Sequence, residues 1–275
     1  MKSYTYPSVL TIAGFDGSGG AGIQADIKTM SALGCYATSV LTALPIQNTV
    51  GVKSIYPIPN DVVAAQMEAV MDDIFPSAIK IGMVHTGTLI TTIINILQKY
   101  PAIPVVFDPV MVSSSGRPLI EADTIKVMVD KLFPIVTLVT PNLDEASVLA
   151  DMPIETVDDM YAAGAKIKRS CKTLLIKGGH LKDEQLTSLY FDEAGDVYPF
   201  RFQKHETNNT HGTGCTLSSA IAAYLAIGQP LLQAVSNGQQ YLYDAILHGI
   251  DVKTGKGNGP VNHFFDPQKQ IKKST

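Results

Sequence analysis

Two glycine-rich segments carry the residues whose types and spacing best suit chemistry. The later one, Gly212-Thr213-Gly214-Cys215, leads into an apolar stretch that predicts a long helix. Unpaired backbone N–H groups and the positive end of the helix dipole converge at such a start, so an anion is favoured there. The same field is expected to lower the pKa of the Cys215 thiol. A small cysteine that only packs the first turn is the alternative interpretation.

The earlier segment is GFDGSGGAGIQADIKTM, where Gly17, Gly19 and Gly22 match GxGxxG between a predicted strand and a predicted helix. A dinucleotide site would also need an acidic residue about 20 positions later. The second strand instead leads to Gln47, and Asp16 would repel a pyrophosphate. A tight turn without a ligand is a second alternative. We expect a loop that lets a small molecule lie against its backbone.

Polar side chains also lie at the ends of three predicted strands. They are Asp108 after VVF, Asn142 and Glu145 after LVTP, and Lys177 after TLLI. Two carboxylates, an amide and an ammonium on one edge can together hold a hydrated Mg²⁺ and a polyphosphate. Asn142 and Glu145 also fit a capping box, which is compatible with that role. Lys177 could alternatively extend to solvent.

Cys215 could instead be a covalent nucleophile paired with His211, as in a cysteine hydrolase. Hydrolase chemistry would leave the strand-end carboxylates and the lysine without a role, whereas phosphoryl transfer uses them all. The sequence has no GxxxxGK[ST] motif and no protein-kinase signature, so another phosphate-binding architecture is needed. Cys35 and Cys171 lack such a setting and are predicted to fill the core.

The elements that must position these residues alternate between strand and helix. Apolar runs predict strands over 9–14, 38–44, 78–83, 104–109, 136–142 and 173–179. Residues 61–75 carry apolar side chains at a 3.6-residue period, which is typical of a helix with one buried face. This order predicts a doubly wound, mostly parallel α/β sheet that binds ligands at its carboxyl edge. Residues 188–203 predict an antiparallel edge hairpin.

Composition narrows the function classes. The 275 residues are 45% hydrophobic and carry a formal net charge of −4, which argues against a general partner role for nucleic acid or a membrane. No apolar run approaches the ~18 residues of a membrane span, and no secretory signal is recognised, so a cytoplasmic protein is expected. Three scattered cysteines suggest neither a disulfide framework nor a zinc site. We expect a single domain over 1–275 whose last ten residues form a frayed tail.

Six motifs in one order make a resemblance specific: TIAGFDGSGGAGIQADIKT, KIGM, DPVM, TPNLDEA, KGGH and THGTGCT. From about residue 9 to 265 the chain resembles the hydroxymethylpyrimidine/phosphomethylpyrimidine kinases of thiamin synthesis and the related bacterial pyridoxal kinases. The resemblance implies a ribokinase-like three-layer α/β/α sandwich that uses ATP and Mg²⁺ and forms a homodimer.

The resemblance also implies roles for individual residues. Gly212, Thr213 and Gly214 would form an anion hole for the transferred phosphoryl group, and Cys215 would be the base where the wider family has an aspartate. The implied nucleotide-binding residues are Lys177, Asn142 and Thr210, and the implied Mg²⁺ ligands are Asp108 and Glu145.

For the acceptor, the resemblance implies a pocket formed by Gly14, Ala21, Asp26, Gln47, Met83 and Val110. The amide of Gln47 offers a donor and an acceptor that complement an aminopyrimidine edge. We therefore expect phosphorylation of 4-amino-5-hydroxymethyl-2-methylpyrimidine and of its monophosphate. Pyridoxal kinase is the alternative within the family, and an NAD-dependent oxidoreductase is the alternative from another class.

Overall fold

The computed structural model describes residues 3–112, 119–120, 123–179, 181 and 185–274. Its strands are β1 (Tyr4–Thr5), β2 (Ser8–Ala13), β3 (Tyr36–Leu41), β4 (Ala43–Asn48), β5 (Gly51–Pro57), β6 (Ala78–Ile81), β7 (Val105–Phe107), β8 (Leu138–Val139), β9 (Leu174–Ile176), β10 (Gln185–Phe191), β11 (Val197–Gln203) and β12 (Lys273–Ser274). Its α-helices are α1 (Gly22–Ala32), α2 (Asn60–Asp73), α3 (Gly87–Leu97), α4 (Thr124–Val127), α5 (Leu143–Ala150), α6 (Val157–Ile167), α7 (Thr213–Ala226) and α8 (Leu231–Leu247).

The central sheet has eight strands in the order β11-β10-β9-β8-β7-β6-β2-β3. Its six strands from β9 to β3 are parallel, which confirms the six predicted strands. Strands β10 and β11 pair in antiparallel fashion at one edge and confirm the predicted hairpin. The parallel strands therefore present their carboxyl ends along one edge, where the sequence places its polar residues.

Two apolar layers cover the sheet. Side chains of successive strand residues alternate between its faces: Val9, Ala78 and Val106 belong to one core, and Leu10, Ile79 and Phe107 belong to the other. Helices α1, α7 and α8 cover the first face, while α2, α3, α5 and α6 cover the second. This is the predicted α/β/α sandwich.

Two regions differ from the sequence-based expectation. Residues beyond 41 leave the central sheet and form the separate two-stranded sheet β4-β5, which the predicted strand over 38–44 did not anticipate. The tail predicted to fray lies against the domain through residue 274: Gln268 N–H donates to Ala32 O, and β12 pairs with β1. In the described part of the chain, no helix is both long and apolar enough to cross a membrane.

Candidate active site

The first turn of α7 lies over the ends of β7 and β9. A Cβ added to Gly214 would lie 3.1 Å from Asp108 Oδ2 and 3.3 Å from Lys177 Nζ, so a larger residue here would crowd this ion pair. Gly212 caps the helix with φ of 80°, in the left-handed region that favours glycine. First-turn amides have no partner inside their own helix, so an anion that lies above the turn can bind them, although the Thr213 amide already donates to Thr210 O at 3.3 Å.

Lys177 and Asp108 form an ion pair at this edge, with 2.6 Å between Nζ and Oδ1. The Asp108 carboxylate is 2% exposed and also accepts a hydrogen bond from the Thr140 hydroxyl. Burial disfavours the ammonium form of Lys177, yet the neighbouring Asp108 and Glu145 carboxylates raise its pKa above the ordinary value. The lysine is therefore charged, and its side chain is still 14% exposed toward the site.

Asn142 and Glu145 form the predicted capping box at the start of α5. Asn142 Oδ1 accepts from the Glu145 amide at 2.9 Å, and Glu145 Oε2 accepts from the Asn142 amide at 2.8 Å. The Lys177 amide donates to Pro141 O, which brings the ends of β8 and β9 together. Burial raises the pKa of Glu145 to about 7, with Lys177 opposing the shift and Asp108 adding to it. The second oxygen, Oε1, accepts from the Met111 amide at 3.4 Å, so both oxygens of this carboxylate have backbone partners.

One prediction, a lowered pKa for the Cys215 thiol, is not confirmed. Burial raises the pKa of its thiol to about 11, although Lys80 opposes that shift and Asp26 and Asp108 add to it. The expected lowering is wrong because desolvation and two nearby carboxylates outweigh the helix dipole. Cys35 and Cys171 are buried as predicted.

The first glycine loop is closed around Asp16. This carboxylate is fully buried and accepts hydrogen bonds from the amides of Ser18, Gly20 and Ala21. A dinucleotide pyrophosphate would need these same amides, so their use by Asp16 argues against the oxidoreductase alternative. His211 donates from Nε2 to Asp16 Oδ2 at 2.8 Å, so this ring nitrogen is not available as the base of a hydrolase.

Five of the six residues predicted to bind the acceptor lie near this loop or near Asp108. A Cβ on Gly14 would lie 3.2 Å from Met83 Sδ, so these two residues face one another. Gln47 lies close enough to Asp16 to help lower the pKa of that carboxyl, and Ala21 is partly exposed just before α1. Val110 is partly exposed just beyond Asp108.

Asp26 is not placed as a pocket residue. It is fully buried, and Lys80 Nζ lies 3.0 Å from Oδ1 and 2.8 Å from Oδ2. Ser219 donates to Oδ1 at 2.7 Å and Thr11 donates to Oδ2 at 2.5 Å. These four residues join α1, β2, β6 and α7 below the site.

Sequence reasoning missed Lys80, although a lysine within the apolar run AIKIGM was a visible signal. A Cβ on Gly82 would lie 2.6 Å from its Nζ, so the ammonium extends toward the carboxyl end of β6. Thr210 is exposed just before the Gly212 cap.

The carboxylates at this edge of the sheet are candidate ligands for Mg²⁺. Asp108 and Glu145 offer carboxylate oxygens, which suit a hard cation. Among the described residues, no three His, Cys, Asp or Glu side chains form a cluster that could hold a metal ion. The residues therefore fit a cation that shares its coordination with phosphate oxygens and water, as Mg²⁺ commonly does.

Comparison with known proteins shows the family of this chain. The model of the phosphomethylpyrimidine kinase family matches residues 16–262. The hydroxymethylpyrimidine/phosphomethylpyrimidine kinase of Rhizobium meliloti is 45% identical over 93% of this chain and 96% of its own.

Solved structures of related kinases share the fold of this chain. The pyridoxal kinase from Staphylococcus aureus in complex with AMP-PCP and pyridoxal superposes with a TM-score of 0.86 at 33% identity, over 94% of both chains. The phosphomethylpyrimidine kinase from Clostridium difficile superposes with a TM-score of 0.76 at 40% identity, over 87% of this chain and 99% of that one. The α/β/α sandwich is thus the ribokinase-like fold, and the chain belongs to the phosphomethylpyrimidine kinase family.

Proposed function

We propose that the protein transfers the γ-phosphoryl group of ATP to the hydroxymethyl group of 4-amino-5-hydroxymethyl-2-methylpyrimidine, and then to its monophosphate, in thiamin biosynthesis. One observation carries the proposal: the amides at the start of α7 lie over the Asp108–Lys177 pair and beside the acceptor loop. The names of the relatives support the same reaction.

The anion hole and Lys177 are proposed to stabilise the negative charge of the transferred phosphoryl group and of the ATP phosphates. Gly212, Thr213 and Gly214 direct amide hydrogens at the transferred group, and the Lys177 ammonium neutralises the ATP phosphates. Because phosphoryl transfer is loose, positioning and electrostatic stabilisation supply most of the rate. Asn142 and Thr210 are proposed to border the nucleotide. Structures of relatives with ADP and AMP-PCP support ATP as the donor.

A magnesium ion bound with ATP would neutralise charge on the phosphates. Asp108 at the end of β7 and Glu145 in the first turn of α5 are the residues that would hold it. The Glu145 carboxyl must release its proton to act as a ligand, and its pKa of about 7 makes this step sensitive to pH.

Cys215 is proposed to take the hydroxyl proton of the acceptor late in the transfer. Since its thiol pKa is about 11, only a small fraction is thiolate at neutral pH, and turnover is expected to rise with pH. Cys215→Ala should lower kcat severely while ATP affinity stays unchanged. Cys215→Asp should retain more activity and show a flatter pH profile. Equal kcat in all three proteins at all pH values would exclude the base role.

The acceptor pocket is proposed to recognise the pyrimidine through Gln47, with Met83 and Val110 against the ring and Gly14 and Ala21 below it. Pyridoxal kinase is the second candidate, because pyridoxal kinases superpose on most of this chain. Parallel turnover assays with both acceptors separate the two. Ready turnover of pyridoxal with none of the pyrimidine would reverse the assignment.

We further propose that the protein is a single-domain, cytoplasmic homodimer. The β4-β5 sheet exposes apolar side chains, with Ile46 50% exposed and Tyr56 60% exposed, and a second copy could cover this surface. Light scattering should give twice the chain mass for the native protein and the chain mass for Ile46→Asp. A native monomer would refute this proposal.

A further inference from the structure

Asp16 organises the first glycine loop. Its Oδ1 accepts from the Ser18 amide at 2.9 Å and from the Ser18 hydroxyl at 2.7 Å. Its Oδ2 accepts from the amides of Gly20 at 3.0 Å and Ala21 at 2.7 Å. One buried carboxylate therefore fixes the shape of the loop that leads into α1.

The same carboxylate reaches the second glycine loop through His211. The distance from His211 Nε2 to Asp16 Oδ2 is 2.8 Å, and since an ionised carboxylate only accepts, Nε2 carries the hydrogen. The His211 amide donates to Gly259 O at 3.0 Å, which fixes the backbone one residue before the Gly212 cap. This contact spans 195 positions of sequence and joins the two segments that the proposed reaction uses.

Steric contact reinforces this connection. A Cβ on Gly212 would lie 1.7 Å from Gly20 O, and a Cβ on Gly20 would lie 2.5 Å from His211 Cδ2. The Gly22 backbone also lies close enough to Cys215 to favour its thiolate form. A displacement of either loop must therefore move the other.

Asp16 is ionised at neutral pH. Burial alone would raise its pKa, but hydrogen bonds from His211, Ser18 and Gln47 outweigh burial and hold the pKa well below its ordinary value. Its hydrogen bonds are therefore charge-assisted, which makes them stronger than neutral ones.

We propose that Asp16 and His211 are positioning residues whose hydrogen bond locks the first glycine loop, which leads into α1, to the second glycine loop, which leads into α7. Because of this lock, acceptor and nucleotide bind cooperatively. The functional part rests on the proposed function. An acceptor that orders the loop at Ala21 also orders Gly212, so the nucleotide encounters a cradle that is already ordered. By linkage, the nucleotide must strengthen acceptor binding by the same factor.

The lock itself is tested without any ligand by hydrogen exchange. Asp16→Asn removes the carboxylate and directs an amide N–H at the loop donors. We expect faster exchange both at residues 18–21 and at residues 212–216. Asp192→Asn is the matched control, since Asp192 accepts from the amides of Gly195 and Asp196 in a distant turn. Faster exchange confined to 18–21 in Asp16→Asn would overturn the lock.

Cooperativity is tested by calorimetry with AMP-PCP, with and without the aminopyrimidine. We expect the acceptor to strengthen AMP-PCP binding about fivefold or more in the native protein, within the usual range of coupling energies. Asp16→Asn and His211→Ala should abolish that factor, and Asp192→Asn should keep it. His211→Gln should restore part of it, because its amide can still donate to Asp16.

The possible failures are distinguishable. A native coupling factor of one, or equal factors in native protein and His211→Ala, overturns the inference. If the native protein binds AMP-PCP but not the pyrimidine, the proposed substrate is wrong. The same coupling is then measured with pyridoxal, and the exchange experiment still decides the lock.

Discussion

Two Lys–Asp pairs lie below the start of α7, and they differ in how deeply they are buried and in what surrounds them. In the Lys80–Asp26 pair both side chains are fully buried, and Ser219 and Thr11 complete the hydrogen bonds of the carboxylate. In the Lys177–Asp108 pair the lysine is 14% exposed and lies at the edge of the site.

The difference assigns a structural role to the charges of the Lys80–Asp26 pair, the inner pair. It assigns a functional role to the charges of the Lys177–Asp108 pair, the outer pair. In the inner pair, Lys80, Ser219 and Thr11 bond to both oxygens of the Asp26 carboxylate, and both side chains are fully buried away from any ligand. The outer pair keeps donors and acceptors that a phosphate or cation could use. Loss of the inner lysine should therefore affect stability first, whereas loss of the outer lysine should affect activity first.

The largest expected effect comes from the inner pair. Lys80→Met leaves the Asp26 carboxylate buried without its counter-ion and should lower the free energy of unfolding by about 3–5 kcal/mol. The urea midpoint of unfolding measures this. The double variant Lys80→Met/Asp26→Asn should recover part of the loss, since no charge remains buried. An unchanged midpoint for Lys80→Met would remove the distinction.

The outer pair should show the opposite profile. Lys177→Gln should lower kcat/KM about 100-fold or more, because a preorganised positive group is lost from the transition state. Its urea midpoint should fall less than that of Lys80→Met. Exposed Lys172, just before the same strand, provides the control variant Lys172→Gln, which should match the native protein in both measurements. A stability loss in Lys177→Gln as large as that of Lys80→Met would contradict the comparison.

Glu145, which lies beside the outer pair, makes the free energy of unfolding depend on pH. Its folded pKa of about 7 exceeds the ordinary 4.5, so its contribution to stability is fully present below about pH 4.5 and is lost as pH rises through 7. Glu145→Gln, which can still cap α5, should therefore gain stability relative to native protein between pH 5 and pH 8. The gain is at most about 3.5 kcal/mol, because the folded and ordinary pKa values differ by about 2.5 and each pK unit corresponds to about 1.4 kcal/mol. Unfolding in urea without nucleotide or Mg²⁺ measures it, and parallel pH profiles would contradict it.

The smallest effect refines the account of the inner pair. Ser219→Ala removes one hydrogen bond to Asp26 and should cost about 1 kcal/mol of stability. Ser218→Ala is the matched control on the same helix, since its hydroxyl donates to Gly214 O and Cys215 O within the first turn of α7. Equal urea midpoints for the two variants would show that Ser219 adds nothing to the pair.

The sheet was predictable because its strands are apolar runs with a clear period. The predicted strand over 78–83 and the observed Ala78–Ile81 differ only at one end, and the capping box at Asn142 was visible from residue spacing alone. The β4-β5 sheet was not anticipated, because ALPIQN alternates buried and exposed positions over only a short length. Asp26 was assigned to the pocket by resemblance, and nothing in its neighbouring sequence indicates its burial against Lys80.

By itself, the sequence determined the order of strands and helices, the edge that carries the polar residues, and the glycines at the start of α7. Those features depend on local periodicity and on residue type. Only the tertiary structure decided the state of each charge. Burial raises the Cys215 pKa, Asp26 becomes an inner counter-ion, and Asp16 joins two loops 195 positions apart, because desolvation and hydrogen-bond partners come from residues distant in the chain.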